Sequence, residues 1–157
     1  MNTKYLNIYN NLIKLTRNKF LYSNLNNSET YSDRVIFLLL HLSFFMKNYK
    51  DLESKKKLQD IHDFIFKQLE ISIREMGYGD VSINKNMKNY LNYFYDIISN
   101  INDWDKFDYN QKSLIIEKII NKSKNISFFV NYFDKLATFY KNNALNFFTK
   151  DIEEFKI

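Results

Sequence analysis

An all-α fold, a single compact domain of about six helices, is what the sequence predicts. Apolar residues recur at steps of three and four in one stretch after another, and no stretch alternates apolar and polar residues with period two between turn residues. Pro is absent and Gly occurs only at positions 77 and 79, so nothing breaks long helical stretches except Asn, Asp and Ser, which cap helices and tolerate left-handed backbone.

Tyr5, Ile8, Leu12, Leu15 and Phe20 mark a first amphipathic helix that ends before the polar stretch Asn24 to Ser28. A second helix starts at Ser32-Asp33. Its apolar residues Val35, Leu38, Leu39, Leu42, Phe45, Met46 and Tyr49 nearly surround the axis, which makes it the central helix. Asp51 is read as the cap of a third helix running to Met76, with Leu58, Ile61, Ile65, Leu69, Ile73 and Met76 on its buried face. Met87, Leu91, Phe94, Ile98 and Ile101 place a fourth between about Ile83 and Ile101, ending near Asn100 or Asn102. Leu114, Ile115, Ile119 and Ile120 mark a fifth, and Phe129, Val130, Phe133, Leu136, Ala137 and Tyr140 a sixth ending near Phe148.

Composition bounds the function. The chain has 157 residues, 45% of them apolar and 18% aromatic, enough to fold as one domain over residues 1–157. With no Cys there is no disulfide, thiol nucleophile or cysteine metal site. The longest apolar run, Val35 to Met46, falls short of the roughly 20 residues that cross a bilayer. No secretory or transit signal precedes the first helix, so a cytoplasmic location is expected. The net charge of +5 raises the alternative of a basic helical RNA- or ribosome-binding protein, but the acidic residues are dispersed, and Lys55 to Lys57 is the only triple-lysine run. His41 and His62 lack metal-ligand spacing, and His41 falls in the most apolar helix, where it reads as a core residue. No catalytic triad, phosphate loop or carboxylate pair is present, so neither an enzyme nor a resident cofactor or metal is expected.

Both glycines fall in one turn, Arg74-Glu75-Met76-Gly77-Tyr78-Gly79-Asp80. Gly77 stands where the third helix must stop and positive φ is favoured, Gly79 permits a second unusual angle, and Asp80 or Ser82 supplies an oxygen to the opening N–H groups of the fourth helix. Arg74 is placed to pair with Glu70 four residues earlier. Glu75 sits against the helix dipole and calls for a cation, from Lys85, Lys88 or a partner protein. Tyr78, flanked by glycines, is either a core plug or an exposed anchor.

This turn, with Lys85-Asn86-Met87-Lys88 and Phe94-Tyr95 beyond it, resembles the ubiquinol-cytochrome c chaperone family, whose pattern reads L-R-E-M-G-V-G-D, K-x-M-K and F-Y-G-R. Ile73 stands in the leucine place and Tyr78 in the valine place. Asp63, Phe66, Glu70, Arg34 and Leu38 to His41 extend the likeness upstream, and Arg17 to Tyr22 more faintly, so that it spans roughly residues 9 to 95. All three arginines, Arg17, Arg34 and Arg74, match arginines of the pattern. Gln68 stands at a usually acidic place, and Asp96-Ile97 replaces Gly-Arg.

The resemblance implies an assembly factor for respiratory complex III that binds newly made cytochrome b, or another assembly component, on the cytoplasmic face of a bacterial inner membrane. Ribosome contact and peripheral membrane association are part of that implication, specific nucleic-acid binding is not. Its candidate client surface is Tyr78, Tyr90, Tyr93 and Tyr95 around a core Phe94, with Arg74, Glu75, Lys85 and Lys88 as the polar rim; Gly77, Gly79 and Asp80 build the turn.

Overall fold

A helix that is apolar on every side must be covered on every side, and the chain is arranged around one such helix. Helix α3, Tyr31–Tyr49, buries every residue from Phe37 to Met46. In this computed structural model, which describes residues 2–27, 29–155 and 157, α1 (Thr3–Thr16), α5 (Asp80–Ile101) and α7 (Ile126–Lys141) pack directly on α3. Helix α4 (Lys55–Glu75) lies against α1 and α5, and α6 (Tyr109–Ile119) against α5 and α7. A short α2 (Lys19–Ser23) and 3-10 turns at Trp104–Lys106 and Leu145–Thr149 complete the described elements. The architecture is all-α; one isolated bridge, Leu25 to Ser123, ties the loops before α3 and before α7.

The α3–α7 seam is aromatic. Phe44 stacks on Phe133 at 5.2 Å and meets Trp104 edge-on at 5.3 Å, while Phe37 stacks on Phe129. His41 is the polar centre of that seam and is fully buried. Its Nδ1 lies 2.6 Å from the Phe37 carbonyl, which can only accept, so Nδ1 carries the proton. The bare Nε2 then accepts from the Tyr132 hydroxyl at 2.6 Å. Tyr140 donates to the His41 carbonyl, so α7 holds this turn of α3 twice. Asp134 closes the next layer by accepting from Trp104 Nε1 at 2.9 Å and from Lys112 Nζ at 2.8 Å. At the other end, the buried Asn11 amide on α1 donates to the carbonyls of Phe148 and Lys150, clamping the C-terminal segment onto the first helix.

Several boundaries differ from the sequence reading, each for a local reason. The first predicted helix is two: α1 stops at Thr16, and Asn18 caps α2 by accepting from the Phe20 N–H, which leaves Phe20 exposed. Ser28, at the end of the predicted polar stretch, lies outside the described residues. The central helix begins with Thr30, whose hydroxyl and the Asp33 carboxylate form a reciprocal capping box, so Ser32-Asp33 is inside the helix and not its start. Ser54 rather than Asp51 caps α4, and Met76 lies past its end, half exposed. Helix α5 starts at Asp80, three residues before Ile83. Leu114 points outward while Ile116 takes the buried place, and α7 ends at Lys141, with Phe148 in a separate 3-10 turn.

Burial lowers the His41 pKa from 6.5 to about 4, with the Phe37 hydrogen bond opposing in part. Between those values the unfolded chain binds a proton that the folded chain does not, so the neutral ring's contribution is complete above 6.5 and is lost as pH falls toward 4. Urea unfolding should show roughly 3 kcal/mol of stability lost through this group over that window, and His41→Gln should flatten this part of the profile. Tyr132→Phe leaves Nε2 buried without a donor and should lower stability by about 1–3 kcal/mol at pH 7.

Candidate functional site: the hairpin of α4 and α5

Both glycines lie in the connection between the two longest helices. Helix α4 ends when Met76 and Gly77 donate to the carbonyls of Ile73 and Arg74. Gly77 takes φ +91°, the left-handed stop that the sequence called for. Gly79 does not carry a second unusual angle: at φ −77° and ψ 164° it is ordinary extended backbone capping α5, and a Cβ there would meet nothing within 4 Å. Asp80 is likewise not the cap. It is the first residue of α5, no side chain caps that end, and its carboxylate accepts from Arg74 Nη1 at 2.6 Å.

Arg74 is thus spent within the hairpin. It reaches Asp80 on one side and Glu70, 3.6 Å away, on the other, bracing the end of α4 against the start of α5. Glu75, Lys85 and Lys88 form no ion pair among the described residues, so neither lysine answers the Glu75 carboxylate. All of residues 74–82 are exposed. The braced turn therefore projects three large apolar side chains together: Met76 at 48%, Tyr78 at 48% and Val81 at 85% exposure. Tyr78 faces out and is not a core plug.

The tyrosines along α5 do not share one face. Residues two apart on a helix are separated by about 200°, so Tyr93 and Tyr95 flank opposite sides of the buried Phe94. Tyr95 belongs to a groove between α4 and α5. There it stacks on His62 at 6.1 Å, and the adjoining hollow of about 670 Å³ is bordered by Lys88, with Phe66, Met87 and Leu91 as its apolar wall. His62 donates from Nδ1 to Asp63 at 3.0 Å, and that hydrogen bond, first among its causes, holds the Asp63 carboxyl below its usual range; the opposite ring nitrogen is buried without a partner among the described residues. Tyr90 is half-buried elsewhere on α5. Tyr93 is exposed and does not line that hollow.

Sequence reading assigned no role to Val81, and placed Met76 in the core. It also passed over His62, Phe66, Met87 and Leu91 as groove walls, because a periodic apolar stripe does not distinguish a core position from one at the lip of a groove. Lys55 to Lys57 open α4, where Lys56 pairs with Asp60 in the helix and Lys57 with Glu53 just before it, so two of the three lysines are matched by nearby carboxylates.

The chain is thus an all-α protein whose α4–α5 hairpin is braced by ion pairs and presents exposed apolar side chains at its tip. Residues 23–114, from the end of α2 through most of α6, match the family model described as ubiquinol-cytochrome C chaperone. The chain belongs to that family. No curated protein and no solved structure matches it. Membership gives the chain a chaperone's part in the assembly of ubiquinol-cytochrome c reductase, respiratory complex III, and implies a non-enzymatic role. Among the described residues, no helix is long and apolar enough to cross a membrane, and no group of three His, Asp or Glu side chains is placed to hold a metal ion.

The two glycines should respond differently to alanine. Gly77→Ala forces a Cβ into the left-handed region and should destabilise by about 1–2 kcal/mol. Gly79→Ala should be neutral or stabilising by up to about 1 kcal/mol, because it restricts only the unfolded chain. Urea denaturation of the two variants distinguishes them.

Proposed function

We propose that this protein holds newly made cytochrome b, on the cytoplasmic face of the inner membrane, while complex III is assembled. The observation that carries this reading is the hairpin tip, where Arg74 locks the turn through Asp80 and Glu70 and Met76, Tyr78 and Val81 stand out into solvent. A chaperone must hold an aggregation-prone apolar client and later release it. A small exposed apolar knob with unpaired charges around it suits that task, since brief desolvation of a few aromatic and aliphatic side chains gives moderate affinity without a locked polar network.

Tyr78 is the anchor, with Met76 and Val81 beside it. Glu75, Lys85 and Lys88 supply rim charges that steer and orient the client, and Tyr95 extends the contact into the α4–α5 groove. Arg74 acts from within by keeping the tip rigid, so that little ordering entropy is lost on binding. Tyr90 and Tyr93 face elsewhere on α5 and contribute only to a client that wraps the hairpin.

A photo-reactive amino acid at position 78 should cross-link to cytochrome b in native membranes during synthesis of the complex. Deleting the gene should deplete complex III and leave cytochrome b degraded; unchanged complex III overturns the reading. Tyr78→Ser should reduce complex III several-fold while its own unfolding free energy, from urea denaturation, stays within about 0.5 kcal/mol of the parent, as expected for an exposed position.

A further inference from the structure

The chain has three arginines among 23 basic residues, so lysine is its ordinary source of positive charge. One arginine braces the hairpin. The other two, Arg17 and Arg34, stand together at a different place: both line a cleft of about 590 Å³ between α1, α3 and α4, remote in sequence from the hairpin tip. That volume is in the range of small-molecule sites.

Among the described residues, neither guanidinium makes a side-chain hydrogen bond. Arg17 forms no ion pair and no side-chain hydrogen bond among the described residues. Arg34 has only Glu29 at 4.0 Å, and its guanidinium lies 5.7 Å from the centre of the Tyr31 ring, which steadies its plane and leaves its N–H fork open. Lys19 lines the same cleft, so three cations face one acid, Glu29. Below them the wall is apolar, formed by Ile13, Val35, Leu38 and Leu69. Tyr9 and Tyr31 also line it, and burial raises both phenols' pKa, so they remain neutral hydrogen-bond donors at neutral pH.

Two open forks and an ammonium above an apolar wall call for an anion with several acceptor oxygens and an organic body. A lone carboxylate offers two oxygens and one charge. A phosphate ester offers more of each, and its body can occupy the wall while guanidinium forks bind its oxygens bidentately. We propose that the cleft bordered by Arg17 and Arg34 is a binding site for a phosphate ester, either the headgroup of an anionic phospholipid or a soluble phosphomonoester. The site is carried by residues other than those of the hairpin tip, so it stands or falls separately from the client-binding reading.

Calorimetric titration of the purified chain with dihexanoyl-phosphatidylglycerol below its micellar concentration, and with glycerol 3-phosphate, tests this. Dihexanoyl-phosphatidylcholine is the zwitterionic control, and flotation with phosphatidylglycerol vesicles separates the two sources. Saturable binding of the phosphatidylglycerol and flotation with the vesicles assigns the lipid headgroup; binding of glycerol 3-phosphate without flotation assigns a soluble ester. In either case Arg17→Lys and Arg34→Lys keep the charge but lose the fork and should each weaken binding about tenfold, with unchanged circular dichroism, whereas Lys135→Gln on α7 should not. Absence of saturable binding to both phosphate probes, equal binding of phosphatidylcholine, or equal affinity in the two lysine variants overturns the proposal.

Discussion

Nothing in this fold is independent of the need to cover α3. From Phe37 to Met46 the helix has no side that water can touch, and at its middle sits an imidazole whose two nitrogens must both be satisfied away from solvent. One nitrogen is satisfied within α3 by the preceding turn. The other is satisfied only by Tyr132, on α7 and 91 residues away. The placement of α7 therefore follows from a hydrogen bond as well as from packing, and the aromatic ladder of Phe37, Phe44, Phe129 and Phe133 is set in register by it. With α7 on one side of α3 and α1 on another, α5 takes the remaining side, and α4 and α6 fill the grooves between these three.

That arrangement leaves α4 and α5 as the pair whose outer surfaces are freest. Their connection projects beyond the covered helix, which is why all of residues 74–82 are exposed while Ile73 and Ile83, one at each flank, are buried. The ion pairs from Arg74 to Glu70 and Asp80 are exposed and each contributes little to global stability. Their effect is local: they fix the direction in which the turn points. The arginine cleft has a different origin. It opens where α1 ends early at Thr16 and the chain turns back through α2, so that the helix end, the start of α3 and the flank of α4 do not close on one another.

The helical class, the central helix and the hairpin turn were legible because each depends on local patterning: a stripe of apolar residues, an all-round apolar run, a glycine after a basic residue. Gly77 is such a case, since its positive φ is demanded by helix termination alone. Gly79 and Asp80 were misread because a glycine or aspartate at a helix start has several roles open to it, and which one it takes depended on Arg74 reaching across the turn. The break at Asn18 was hidden because Phe20 falls near the helical period of α1 although its side chain faces water. Asn11, Trp104 and Asp134 carry long-range hydrogen bonds that no sequence window contains. The candidate site divides in the same way. Tyr78 was visible from its glycine neighbours, whereas the separation of Tyr93 from Tyr95, and the company of Val81, needed the three-dimensional path of α5.

The distance in sequence between His41 and Tyr132 has a further consequence, in time. At usual ribosomal rates the 91 residues between them require roughly 5 to 20 s to synthesise. Throughout that interval the most apolar helix of the chain has left the exit tunnel, or is leaving it, without the partner that seals it. For those seconds the chain's own central helix is unshielded.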